Sequence, residues 1–287
     1  THYSTTKNTF FEIRNSSGRN TSKITVSQVF ELLYLWCMEE QRCKVAILTQ
    51  LSEKTITFWY SKMRNHCNTS FQRREKMGGA TKIIEIDECL LRGRRKYNRG
   101  RFLGMDHWRV TPNVVLRSRT QRTTHTSITF RQRGERYRNR VNGPWVVGIC
   151  ECSVDSQGTR KLLESRFFVV RKRDKKTLIR LVIQEVERET TIFTDEWLGY
   201  SALRIHGYNH VTVNHSREYV TAEGYHTNTV EVVWHHLKTK ILRKMNNVPR
   251  VYLNAYLTEA WLRSKFEHSW EFFQHFIESV SRHYNRN

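Results

Sequence analysis

The chain has 287 residues, with 49 Lys and Arg against 27 Asp and Glu, giving a formal charge of +22 and a pI near 10.1. That length holds one larger domain or two unequal ones with ample core, and the charge exceeds what solubility requires, so a polyanionic partner is implied. No apolar run approaches the roughly 20 residues that span a bilayer, and neither end is amphipathic or lipid-anchored, which places nucleic acid ahead of a membrane surface.

Residues 1–22 form a polar tail, apart from Phe10-Phe11. No signal peptide is visible and the chain opens on a threonine, so a fragment or trimmed chain is expected. The six cysteines, Cys37, Cys43, Cys67, Cys89, Cys150 and Cys152, are scattered among apolar neighbours without a CxxC pair. They are expected as reduced core residues of an intracellular protein rather than a disulfide frame or a zinc site. From residue 23 to 70 the pattern is helical. Ser27 is placed to cap a helix carrying Val29, Phe30, Leu33 and Trp36, and a second short helix fits Lys44–Leu51. Ser52 then caps a third, Glu53–His66, with Ile56, Trp59, Tyr60 and Met63 inward. Three helices with a tight connection before the last admit two readings, an ordinary three-helix bundle or a helix-turn-helix. The donors Lys54, Thr57, Lys62 and Arg64, assigned to the outer face of the third helix, favour the second.

Gln72–Gly79 is a basic linker, and residues 80–287 follow as an α/β region. Thr81-Lys82-Ile83-Ile84-Glu85-Ile86-Asp87 is a strand ending in an aspartate. Arg92, Arg94, Arg95, Lys96, Arg99 and Arg101 come next, either a solvated face or phosphate contacts beside that strand. Residues 102–142 carry nine arginines against Asp106 and Glu135 with poor periodicity. The stretch is either a DNA-contacting loop that orders on binding or a passenger insertion. Trp145–Ser153 and Leu162–Val170 make a hairpin across Asp155–Gly158, and Lys175–Arg188 is a helix with Leu178, Leu181, Val182 and Val186 inward. Thr190–Asp195 is a buried strand delivering a second aspartate, and His210–Asn214 is a further short one. Asn228 begins a helix whose stripe runs through Val230, Val233, Trp234, Leu237, Ile241, Leu242 and Met245, with Glu231 off the stripe in the first turn, where a carboxylate is favoured. Val251–His283 forms terminal helices rich in aromatics.

A strand-end aspartate with a first-turn glutamate is commonly a surface charge and a helix-dipole partner. Three carboxylates, Asp87, Asp195 and Glu231, with the two aspartates at the ends of neighbouring strands, are a stronger pattern. Strand ends in an open α/β sheet are where ligands bind, and oxygen donors without thiolates suit Mg²⁺ or Mn²⁺. The late histidines, including His206, His210, His215, His226, His235 and His236, lack cysteine partners for zinc. His215 and His235 are candidates for phosphate contact or proton donation beside the acidic site.

Ile86-Asp87-Glu88, Lys96-Tyr97-Asn98-Arg99-Gly100-Arg101, Trp145-Val146-Val147-Gly148, Thr194-Asp195-Glu196-Trp197 with Tyr200, Val213-Asn214-His215-Ser216, and Asn228-Thr229-Val230-Glu231 with Trp234 and Leu237-Lys238 occur in one order. Together they resemble the Merlin-type DDE transposases and their bacterial relatives with an ISXO-like transposase domain, over most of the chain from about Thr9. The resemblance implies an RNase H-like, retroviral-integrase-type catalytic domain at 80–287, with the helix-turn-helix-like region before it and C-terminal helices after it. It implies cut-and-paste strand cleavage and strand transfer at transposon ends. Asp87, Asp195 and Glu231 would hold two Mg²⁺ or Mn²⁺ ions, with Asp87 bridging and Lys238 among the DNA contacts. The implied partners are double-stranded DNA, as terminal repeats and target, and further copies of the chain on that DNA. The location is nuclear in a eukaryote and cytoplasmic otherwise. The family has an N-terminal zinc module before its Thr-Phe-Phe stretch; Thr9-Phe10-Phe11 matches that stretch without the preceding cysteines. It also lacks 102–142, so a domesticated or inactive DNA-binding derivative is the alternative, and a degrading nuclease of the RNase H type a third reading.

Overall fold

The computed structural model describes residues 9–12, 24–91, 144–156, 158–213, 228–244 and 250–284. Two compact units are distinguished: Thr1–Glu75 with Leu163–Arg166 and Ala255–Asn287, and Lys76–Leu162 with Phe167–Asn254.

In the first unit, α1 (Val26–Cys37), α2 (Arg42–Thr49) and α3 (Glu53–Gln72) are joined by α6 (Arg250–Ser264) from Ala255 onward and by α7 (Ser269–Tyr284). Helix α1 is capped two residues before the expected Ser27, because Thr25 and Gln28 form a capping box: the Thr25 side chain accepts from the Gln28 N–H, and the Gln28 side chain accepts from the Thr25 N–H. Ser52 caps α3 as expected, accepting from the Thr55 N–H. Ile56, Trp59, Tyr60 and Met63 are buried as predicted, and the helix runs on to Gln72, adding Cys67 and Phe71 to the same face. Trp36 meets Phe272 and Phe276 at centroid distances of 5.5 and 5.4 Å, and Phe71 meets Trp261 at 4.9 Å, so these three terminal aromatics are core, whereas Tyr252 and Trp270 are exposed. Arg263 donates to the Trp36 and Cys37 carbonyls, satisfying the open C-terminus of α1 with a cation.

In the second unit a mixed five-stranded sheet has the order β3-β2-β1-β4-β5. Its strands are β1 (Lys82–Leu90), β2 (Trp145–Val154), β3 (Arg160–Val170), β4 (Thr191–Thr194) and β5 (Asn209–Thr212). β1 is central, antiparallel to β2 and parallel to β4, which is parallel to β5. With α4 (Lys175–Glu185) before β4, short helical turns at Leu198–Tyr200 and Arg204–His206 between β4 and β5, and α5 (Asn228–Lys238) after β5, this is the strand, hairpin, helix, strand, short helix, strand, helix order expected of an RNase H-like fold. Alternation along β1 sends Ile84 and Ile86 to one face, where they pack with Val147, Ile149, Leu178, Val182 and Ile192. The opposite face carries Glu85 and Asp87. The strand does not end at Asp87, contrary to the expectation from sequence, because pairing with β2 continues to Leu90 opposite Trp145. Five cysteines are buried and free, but Cys43 is exposed, contrary to the expectation that all six are core. No helix among the described residues is long and apolar enough to cross a membrane.

Candidate active site

Asp87 is held on two sides. Its Oδ1 accepts the Glu88 N–H at 2.7 Å, and its Oδ2 accepts the Trp234 indole N–H at 2.9 Å. The indole reaches it because the residue directly across on β2 is Gly148: a Cβ there would lie 2.7 Å from Trp234 Cζ2. Phe167 flanks the same ring at 5.6 Å.

Asp195 is the first residue after β4. The parallel register pairs Glu85 with Phe193, and two residues further it sets Asp195 alongside Asp87 on the same face. Asp195 Oδ1 accepts the Trp197 N–H at 3.1 Å, which closes the turn after the strand. Glu231 is exposed in the first turn of α5, as expected. Burial first, and then the negative charge of Asp195, pushes the Asp87 carboxyl up to about 6, with Glu231 acting in the same sense. A cleft of about 530 Å³ opens here, its walls including Asp87, Glu88, Glu231, Trp234, His235 and Lys238; Asp195 is not among them. Among the described residues, no three His, Cys, Asp or Glu side chains converge closely enough to enclose a metal ion as they stand.

Several residues with no role expected from sequence complete the site. Glu88 is buried, accepts the Tyr200 hydroxyl, and lies 3.6 Å from the Arg173 guanidinium. Burial pushes its carboxyl up to about 7, with Asp195 and Asp87 adding to the effect. Arg173 stacks between Trp145 and Trp197 at 3.9 and 4.7 Å. Glu85 is fully buried and bonded to Arg160 and to the Val230 N–H. A carboxylate in the run Ile83-Ile84-Glu85-Ile86 was the available signal, since a buried charge requires partners.

The other predicted contacts divide. Lys238 hydrogen-bonds the Cys89 thiol at the cleft. Lys54 and Thr57 are exposed on α3, and Arg42 donates to Thr57 Oγ1 at 3.3 Å. Arg64 is not on the outer face: it is 7% exposed, 2.7 Å from Glu259, and its guanidinium lies 4.0 Å from the Tyr256 ring. Its position four residues after Tyr60 places it on the inward stripe, where its charge is neutralised by an acid. Lys62 is half-buried, with its ammonium over the Phe10 and Trp59 rings and donating to the Glu12 carbonyl at 2.7 Å. Arg92, Arg94, Arg95, Lys96, Arg99, Arg101, His215, His226 and the stretch 102–142 lie outside the described residues.

Residues 123–264 match the family model of the ISXO2-like transposase domain. The chain is also 28% identical over 83 residues, 29% of its own length, to an uncharacterized transposase-like protein of Haemophilus influenzae. These matches support a transposase family. The chain spans 66% of that relative's length. The matched domain takes in Asp195 and Glu231, begins within the stretch 102–142, and leaves Asp87 outside. Among solved structures, the Mos1 strand transfer complex is similar at 9% identity over 95% of this chain and 79% of that one, with a TM-score of 0.30. The Mos1 mariner paired end complex with Mn is similar at 10% over 92% and 79%, with a TM-score of 0.31.

Proposed function

We propose that the chain is a DNA transposase of the Merlin type, acting by cut and paste, with Asp87, Asp195 and Glu231 as its catalytic carboxylates. The observation that carries this reading is the Asp87 site: a half-buried carboxylate fixed by Trp234 and Glu88, adjoined by the negative charge of two more. Carboxylates gathered at the end of a sheet are stable together when a cation offsets them, and an all-oxygen donor set suits Mg²⁺ or Mn²⁺. The donor chemistry therefore fits, and Asp87, Asp195 and Glu231 would hold two such ions. When bound, the ions would supply charge stabilisation to the attacking and leaving oxygens of a phosphodiester. Trp234 keeps Asp87 in one orientation, and Lys238 and Arg173 bring positive charge to the cleft that receives a phosphate. On α3, Lys54 and Thr57, with Arg42 beside them, are the face offered to DNA ends in a helix-turn-helix reading; Arg64 has no part in it. Double-stranded terminal repeats and target DNA are the partners, with several copies assembling on that DNA, in the nucleus of a eukaryote or the cytoplasm otherwise.

The test is incubation of the full chain with Mg²⁺ or Mn²⁺ and duplexes carrying the element's own ends. Nicked and joined products are expected, and replacing Asp87, Asp195 or Glu231 by Ala should remove them while DNA binding persists. Binding without any product in either metal would favour the domesticated DNA-binding alternative.

A further inference from the structure

We infer that Glu85, held by Arg160, is a positioning residue that fixes the first turn of α5 and so sets Glu231 at the acidic site; this rests on the proposed role of Glu231. Glu85 is 0% exposed, and both its oxygens are bonded. Oε1 accepts from Arg160 Nη1 at 2.8 Å, and Oε2 accepts from the Val230 N–H at 3.1 Å. Arg160 is itself buried and lies over the Phe193 ring at 4.7 Å.

The Val230 amide is one of the four that an α-helix leaves without an internal acceptor at its start. A strand carboxylate fills that need from below, and the next residue along the helix is Glu231. Because Glu85 stands two residues before Asp87 on the same strand face, one strand holds one member of the acidic set directly and, through Val230, fixes the turn that carries another. Arg160 makes this arrangement possible, since an unpaired carboxylate is not tolerated at full burial. Farther along α5, the Trp234 bond to Asp87 fixes the second turn. The spacing between Asp87 and Glu231 is thereby set by two sheet-to-helix hydrogen bonds.

Two double variants separate positioning from bulk stability. In E85M/R160M the buried pair is replaced by apolar side chains of similar length, which typically preserves folding, but Val230 loses its acceptor. In E85Q/R160M the charge pair is gone and an amide oxygen remains. The full-length chains are compared by hydrogen exchange of the segment 228–234, by thermal melting, and by Mn²⁺ titration followed by electron paramagnetic resonance. We expect E85M/R160M to melt close to the unaltered chain, while its 228–234 amides exchange about tenfold faster, as for loss of a helix cap. Its Mn²⁺ affinity should fall about tenfold, with E85Q/R160M within about twofold on both readouts. Unchanged exchange in E85M/R160M, or equal acceleration in both variants, overturns the inference. So does a Val230 amide that exchanges in the unaltered chain as fast as an open first turn, and this decides the matter should E85M/R160M fail to fold. Absence of Mn²⁺ binding by the unaltered chain counts against the proposed metal site, and the exchange data still decide the role of Glu85.

Discussion

At the scale of single residues, the acidic site depends on an absence: no side chain at Gly148, so that Trp234 can lie against the sheet and donate to Asp87. Gly148→Ala places a methyl group where the indole is, and should cost about 1–3 kcal/mol of stability, as overpacking does, measured by urea unfolding. Trp234→Phe keeps most of the apolar packing but removes the donor. Its expected cost is about 1.5–3 kcal/mol, the range for a hydrogen bond to a charged group, together with a loss of cleavage in the same DNA assay; an unchanged cleavage rate would show that Asp87 needs no such clamp. Arg64 and Lys54 make the opposite contrast. Arg64→Met removes one of the two arginines that pair with buried Glu259, which keeps Arg263 at 2.9 Å, and should destabilise by about 1–3 kcal/mol, leaving the salt dependence of DNA binding alone. Lys54→Ala should leave stability within about 0.5 kcal/mol and flatten the slope of log affinity against log salt by about 0.9. Equal slopes for Lys54→Ala and the unaltered chain would remove α3 from the DNA interface.

At the scale of elements, β4 and β5 carry a pH dependence. His210 on β5 is buried and bonded to Thr194 Oγ1 at 2.9 Å, and burial, with Arg204 nearby, holds its imidazole below the usual 6.5. A histidine kept neutral in the fold is protonated more readily when unfolded, so its contribution is complete above about 6.5 and is lost as pH falls through the depressed folded value. His275 on α7 is shifted the same way, by burial first and then by Arg282 and Lys265. The raised carboxyls of Asp87 and Glu88 act in the opposite sense, adding stability as pH falls through about 7 and 6, so the histidine contribution is read by difference. Relative to the unaltered chain, His210→Gln should lose a component that declines as pH falls from about 6.5, and an identical profile in the variant would count against it. Much of this layout was legible in the sequence. The order of strands and helices followed from period-2 and helical spacing, and the helix bearing Glu231 begins at Asn228 as expected. What escaped was whatever depends on the partner element. Thr25 competes with Ser27 as a cap through a reciprocal bond to Gln28. Arg64 is charged yet inward, because Glu259, distant in sequence, meets it. Glu85 acquires its role from Arg160 and Val230, neither of which is local to it.

At the scale of the whole molecule, a charge of +22 is distributed over two compact units, each with its own core. Removing residues 1–70 to test end recognition would strip α1–α3 from the aromatic cluster of Trp36, Phe272 and Phe276 within the first unit, so substitution at Lys54 and Thr57 is the cleaner probe. The arginines of 102–142 enter at this scale too. Residues 123–142 lie inside the matched domain, so, contrary to expectation, the family does not lack the whole stretch. If its arginines neutralise phosphates, replacing them by Gln should leave a folded chain whose salt slope is shallower by about 0.9 for each phosphate no longer neutralised, and an unchanged slope would make the stretch a passenger. The most direct measurement of the central claim is strand cleavage and joining by the full chain on its own terminal-repeat duplex in Mg²⁺, alongside Glu231→Gln. Metal-dependent nicks and joined products from the unaltered chain, falling to background in Glu231→Gln with DNA affinity retained, are predicted; undiminished product from Glu231→Gln would contradict the account.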